Sequence, residues 1–233
     1  MFENKIFTMP ERTYDACLAT PFNCIISGVS QSGKTTLVYN LLQLSDSIFT
    51  KKPSKVFLFY KFNQAIYQEM LRNKLIHELV EINEKNLDYD NIVARVSPYK
   101  KKGGSLIIFD DSMSDITSDF AQIFTNLSHH QNCSVIYITQ NLFHKDSNYR
   151  TMSLNAHYLF LMKNDRDKQQ INTLARQICP GNSTYVVESF IKATRRPFSY
   201  LLMDFRPQSP EVLKLRSNIF PHQFPYRIYK EVQ

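Results

Sequence analysis

Apolar residues fall along this chain in short unbroken runs, and between the runs they recur every three or four positions. The first pattern predicts buried strands and the second predicts helices with one covered face. Cys24, Ile25 and Ile26 mark a first strand. Leu37, Leu41, Leu44 and Ile48 then predict an amphipathic helix to about residue 47. Past Pro53, KVFLFY at 55–60 reads as a second buried strand. Ile66, Met70, Leu71, Leu75, Leu79 and Ile82 predict one long helix over 63–84, and NIVARV at 91–96 reads as a short strand.

SLIIFDD at 105–111 is a further buried strand, entered from the turn KKKGG at 100–104. Ile116, Phe120, Ile123, Phe124 and Leu127 place a helix over 114–130, followed by the β-branched strand SVIYITQN at 134–141. A loop carrying Arg150 leads to a strand at 156–162. The helix QQINTLARQICPG at 169–181 stops at Pro180 and Gly181. TYVVESF at 184–190 and the segment 198–205 read as a closing pair of strands joined by KATRRP. Residues 1–22, broken by Pro10 and Pro21, read as irregular. The expected organisation is an α/β domain over 23–206, its central sheet mostly parallel and flanked by helices. The stretch 207–233, with Pro210, Pro221 and Pro225 among aromatics, is expected to be a tail packed on that domain or on a neighbouring subunit.

Composition narrows the class. A hydrophobic content of 43% with 17 Phe and 13 Tyr is that of a folded chain, and no apolar run approaches the roughly 20 residues that span a bilayer. MFENKIFTMPER has no basic-then-apolar leader pattern. Cys17, Cys24, Cys133 and Cys179 are scattered without metal-ligand spacing, and read as reduced thiols of an intracellular protein. A net charge of +7 suits a nucleic-acid partner without demanding one. The charge gathers at Lys51, Lys52 and Lys55, at Lys100 to Lys102, and at Arg195 with Arg196, each in an expected loop.

The chemistry concentrates between the first strand and first helix. Gly28, then VSQS, then Gly33, Lys34 and Thr35 form G-x-x-x-x-G-K-[ST], the P-loop, in its strand-to-helix setting. In such a loop the glycines turn backbone amides inward around phosphates, and the helix N-terminus adds its positive end. Gly28, Ser30, Gln31, Ser32, Gly33, Lys34, Thr35 and Thr36 are the expected ATP-binding residues. Lys34 reaches the β- and γ-phosphates, and the Thr35 hydroxyl binds Mg²⁺. The strand ending in Asp110 and Asp111 has the Walker B form: Asp110 would complete the metal shell and Asp111 would face the attacking water. Gln140, at the end of the next strand, is placed to orient water or sense the γ-phosphate. His129 and His130 adjoin each other at an expected helix end, where capping is the simpler reading than metal binding. Phe22 or Tyr14 could flank the adenine, though packing accounts for either.

The order of motifs resembles the viral genome-packaging ATPases of the FtsK–HerA superfamily, above all those of poxviruses, virophages and Maverick/Polinton elements. The segments that carry the likeness are PFNCIISGVSQSGKT, SLIIFDDSMSD, SHHQNCSVIYITQNLF, SLNAHYLFLMKNDRD, LARQICP and RSNIFP. The resemblance implies a P-loop NTPase of the additional-strand, RecA/FtsK-like kind. It implies a homo-oligomeric ring, pentameric or hexameric, that uses ATP and Mg²⁺ to drive double-stranded DNA into a capsid, with a capsid or portal-vertex protein as partner. The work would be done inside an infected cell, in cytoplasm or nucleus. Asp111 stands where many relatives carry the catalytic Glu, one methylene longer, and is assigned the base role. A ring motor also needs an arginine from the neighbouring subunit. Arg150 is the first choice for it, Arg166 the second and Arg176 the third. The KKKGG turn is a candidate DNA-gripping loop.

Two other readings stay open. A nucleotide or small-molecule kinase shares the P-loop, but no Arg-rich lid is visible. A nucleotide-binding DNA or capsid-assembly subunit without turnover is favoured only by the shortened Asp111. A GTPase is disfavoured because no NKxD motif occurs.

Overall fold

The computed structural model describes residues 6–8, 16–82, 87–110, 117–143, 147–164, 168–223 and 225–230. In chain order its elements open with β1 (Ile6–Thr8), β2 (Asn23–Ser27), α1 (Lys34–Gln43), α2 (Ser45–Ile48), β3 (Lys55–Tyr60), α3 (Ala65–Arg72), β4 (Glu78–Glu81), α4 (Tyr89–Val96) and β5 (Ser105–Asp110). They continue with α5 (Ser118–His130), β6 (Cys133–Thr139), α6 (Ser147–Leu154), β7 (Tyr158–Met162), α7 (Lys168–Ile178), α8 (Ser183–Ala193), β8 (Tyr200–Asp204), β9 (Leu215–Ser217) and β10 (Arg227–Tyr229).

The strands form one sheet in the order β1-β10-β9-β8-β7-β2-β6-β5-β3-β4. From β7 to β4 every pairing is parallel, and from β7 outward to β1 every pairing is antiparallel. The parallel strands are apolar at consecutive positions because helices cover both faces. Ile25, Phe57, Phe59, Ile107 and Phe109 face a core closed by α4, α5, α6, α7 and α8. Cys24, Ile26, Val56, Leu58, Leu106 and Ile108 face the other, closed by α1 and α3. The α/β architecture with a mostly parallel centre is the one expected.

Several local expectations give way, each for an identifiable reason. The helix expected over 63–84 ends at Arg72. Lys74 takes a left-handed conformation, the amides of Leu75 and Ile76 both turn back to the Met70 carbonyl, and the chain then runs alongside β3 as β4. NIVARV is helix α4, not a strand: Asp88 caps it by accepting from the Asn91 amide, and Ile92 and Val96 are buried one turn apart. TYVVESF is likewise the helix α8, capped by the Asn182 side chain, with Val186, Phe190 and Ala193 on its buried face. Arg150 lies within α6 rather than in a loop.

Residues 1–22 are not wholly irregular, since Ile6–Thr8 pairs with β10 and Leu18 bridges to Phe49. Beyond residue 207 the chain extends the sheet with β9 and β10, and its prolines fall in the connections. Phe22 is buried with its ring 5.5 Å from those of Phe49 and Tyr158, so it packs the core and does not flank a nucleotide. Tyr14 lies outside the described residues.

Candidate functional site

Three adjacent parallel strands, β2, β6 and β5, deliver the motif residues to one end of the sheet. Where β2 ends, the Gly28 amide donates to the Thr139 carbonyl of β6 at 3.2 Å, tying the loop to its neighbour. A side chain at Gly28 would meet Met162 Cβ at 2.5 Å and Ser32 Oγ at 2.7 Å, and Gly33 sits at φ +94°. Both positions therefore need glycine. The Ser32 hydroxyl is buried beneath the loop and has no hydrogen-bond partner among the described residues.

Lys34 opens α1 and is nearly buried. Its Nζ donates to the carbonyls of Gly28 at 2.8 Å and Val29 at 2.9 Å, so the ammonium lies inside the loop that its own backbone forms. The start of α1 has no side-chain cap, and a helix N-terminus of this kind is a setting for an anion. Thr35 Oγ1 donates to Asp110 Oδ2 at 2.8 Å, across from β5. Asp110 is 3% exposed. A hydroxyl and a carboxylate in contact are the hard oxygen donors that Mg²⁺ takes, with waters and substrate phosphates filling the remaining positions. The donor set, the uncapped helix and the enclosed lysine together fit Mg²⁺ with a nucleoside triphosphate.

A second donor on Asp110 was not foreseen. Tyr67, wholly buried on α3, gives its hydroxyl proton to the same Oδ2 at 2.9 Å, and Gln64 Nε2 donates to the Tyr67 oxygen at 2.8 Å. Read as the interior of one long helix, 63–84 offered no reason to single out either residue. The one available signal was that Gln64 comes shortly after a buried strand, at the same end of the sheet where Asp110 closes one strand and Gln140 follows another.

Gln140 lies just past β6, exposed, and lines the same cavity as Lys34 and Asp110. That cavity encloses about 1060 Å³, ample for a nucleotide. Ser30, Gln31, Gly33, Lys34, Thr35 and Thr36 form its floor. Its far wall comes from 196–200 and from Asn218, Phe220, His222, Gln223, Pro225 and Arg227, none of which was anticipated. Asp111 and Arg166 lie outside the described residues. Arg150 and Arg176 are exposed on α6 and α7 and do not line the cavity. Lys100 to Lys102 precede β5, at the opposite end of the sheet from the P-loop. Their turn is pinned by the Asn132 side chain, which donates to the Lys100 carbonyl at 3.0 Å.

A P-loop on a central parallel strand, with β6 inserted between it and the strand bearing Asp110, defines the additional-strand class of P-loop NTPases. Residues 9–179 match the family described as Poxvirus A32 protein, and the chain belongs to that family. The kinship with viral genome-packaging ATPases that the motifs implied is thereby met. No curated protein sequence matches the chain.

Among solved structures, the genome packaging NTPase B204 from Sulfolobus turreted icosahedral virus 2, in complex with AMPPCP, is 13% identical with a TM-score of 0.54, covering 91% of this chain and 98% of its own. B204, the DNA-packaging ATPase from Sulfolobus turreted icosahedral virus, is 14% identical with a TM-score of 0.53 over 92% of this chain and 100% of its own. The cytoplasmic domain of the Thermomonospora curvata type VII secretion ATPase EccC is 14% identical with a TM-score of 0.53, over 89% of this chain and 25% of that one. At these identities the likeness is one of fold.

Proposed function

We propose that this chain is an ATP-hydrolysing motor that moves double-stranded DNA into the capsid of a virus or virus-like element. The observation that carries the reading is the convergence of Lys34, Thr35, Asp110 and Gln140 at one end of the sheet, around a nucleotide-sized cavity. Membership of the Poxvirus A32 protein family and the packaging role named for the B204 relatives support it.

Lys34 would exchange the Gly28 and Val29 carbonyls for the β- and γ-phosphates, and Thr35 with Asp110 would hold Mg²⁺. The metal supplies charge neutralisation on the phosphate oxygens. Asp111 would accept the proton of the attacking water while Gln140 fixes that water in line. An arginine of the neighbouring subunit would answer the charge developing on the γ-phosphoryl group, a role worth about 10³–10⁵-fold in related systems. Arg150 is our first assignment for it, being exposed and outside its own subunit's cavity; Arg166 and Arg176 follow. Such shared sites require a homo-oligomeric ring, and loading DNA requires a capsid or portal-vertex partner in the infected cell. Lys100 to Lys102 would grip DNA phosphates.

Steady-state ATP hydrolysis by the purified chain, with and without double-stranded DNA, tests this. DNA-stimulated turnover, lost in both Lys34→Ala and Arg150→Ala and partly regained when the two variants are mixed, is the expected result. Nucleotide binding without turnover, DNA present or not, would leave a non-hydrolysing assembly subunit as the better account. Phosphate transfer to nucleosides would favour a kinase.

A further inference from the structure

We propose that Phe198 is the stacking platform for the base of the bound nucleotide. The inference rests on the nucleotide-binding reading of the P-loop and assigns the other end of the same ligand. In the segment Arg196-Pro197-Phe198-Ser199, the Ser199 amide returns to the Arg196 carbonyl at 3.3 Å and its hydroxyl donates to the same oxygen. Proline suits the second position of such a turn, and the third position, when left-handed, calls for Gly or Asn. Here it is filled by phenylalanine at φ +59°. A bulky residue in that region is strained.

Folding gains little in return, because the residue is 69% exposed. What the conformation achieves is placement. Phe198 Cδ1 comes within 3.1 Å of where a Cβ on Gly33 would stand, so the ring rests beside the root of the phosphate-binding helix and lines the cavity.

Direction decides which part of the nucleotide meets it. Thr35 and Asp110 would hold the metal, and with it the γ-phosphate end, on the side of β5 and α3. Phe198 precedes β8 and stands beside Gly33 of the P-loop, on the β7 side of β2 and away from β5. The cavity continues past Phe198 toward Asn218 and Arg227, giving a base a pocket away from the reacting phosphate. An exposed aromatic face there offers stacking that is tolerant of base identity, since every base has a π-face.

The test is calorimetric titration of the full chain, with Mg²⁺ present, using ATP and inorganic tripolyphosphate as separate probes. Phe198→Ala and Phe198→Gly should weaken ATP about tenfold and leave tripolyphosphate within about twofold, whereas Phe198→Tyr should bind both as the parent does. The glycine variant also relieves the left-handed backbone, so a loss of ATP affinity in it is not a loss of fold. Unchanged ATP affinity in Phe198→Ala, with Lys34→Ala losing both probes, overturns the base platform and leaves the nucleotide site standing. Equal weakening of both probes would show that the ring only shapes the P-loop, and overturns the proposal as well. A parent chain that binds neither probe refutes the nucleotide reading and the platform together.

Discussion

Tyr67→Phe removes a single oxygen from a wholly buried ring, and what that oxygen touches is the carboxylate expected to hold the metal. Asp110 Oδ2 accepts two hydrogen bonds, from Thr35 at 2.8 Å and from Tyr67 at 2.9 Å. The Thr35 hydroxyl could offer a lone pair to Mg²⁺ while still donating its proton to Asp110, and Tyr67 would be the second donor that keeps the carboxylate aimed. A hydrogen bond to a charged group contributes about 1.5–3 kcal/mol, which at 1.4 kcal/mol per decade is about 10- to 150-fold in an equilibrium that depends on it.

Tyr67→Phe should therefore raise the Mg²⁺ concentration for half-maximal hydrolysis by at least about tenfold, with metal-free nucleotide binding unchanged. Because Thr35 still serves Asp110 in the metal-free fold, thermal stability should fall only modestly, by about 2–4 °C for each kcal/mol lost. Gln64→Ala, which strips the donor behind Tyr67 and leaves the tyrosine in place, should shift the Mg²⁺ requirement the same way by less. The assay is a Mg²⁺ titration of the hydrolysis rate at fixed ATP, alongside a thermal melt. An unaltered Mg²⁺ requirement in Tyr67→Phe, with Asp110→Asn inactive, would refute the positioning role.

Other consequences concern stability and DNA. Asp204 on β8 takes a bidentate pair from Arg206 and a 3.3 Å contact from Arg216, which is buried completely. Asp204→Ala strands that guanidinium and should cost about 3–5 kcal/mol, read as a drop in denaturation midpoint; loss of less than about 1 kcal/mol would contradict it. His157 Nδ1 accepts the Asn23 amide at the head of β2, and its pKa is lowered by burial first, then by His129 and Arg206, with Asp204 opposing. A depressed folded value means stability present above the ordinary histidine range and lost as pH falls through the folded value, so acid melts should weaken below about pH 6.5, less so in His157→Gln. Lys100, Lys101 and Lys102 changed together to Ala should flatten the salt dependence of DNA binding, and an unchanged slope would remove that turn from the DNA path.

The P-loop side of the cavity was legible in the sequence because each residue belongs to a local pattern. A glycine-bounded loop between strand and helix, and a polar residue closing an apolar run, reveal Lys34, Thr35, Asp110 and Gln140 without knowledge of their neighbours. The facing wall was not legible. Phe198, Asn218 and Arg227 reach the cavity only because the chain returns on the far side of β7, and their spacing carries no periodic signal. Tyr67 was hidden by a related ambiguity: its segment kept a helical repeat through the turn at Lys74, so the break into α3 and β4 was invisible. In α4 and α8 the β-branched residues of NIVARV and TYVVESF argued for strands. The caps at Asp88 and Asn182, together with burial at four-residue spacing, overruled them.

Motion along DNA driven by ATP would show itself as displacement of a triplex-forming strand from duplex DNA. The chain with Mg²⁺-ATP should free the third strand, and Lys34→Ala or a non-hydrolysable ATP analogue should free none. Robust DNA-stimulated hydrolysis with the third strand left in place, on duplexes long enough to load a ring, would contradict it.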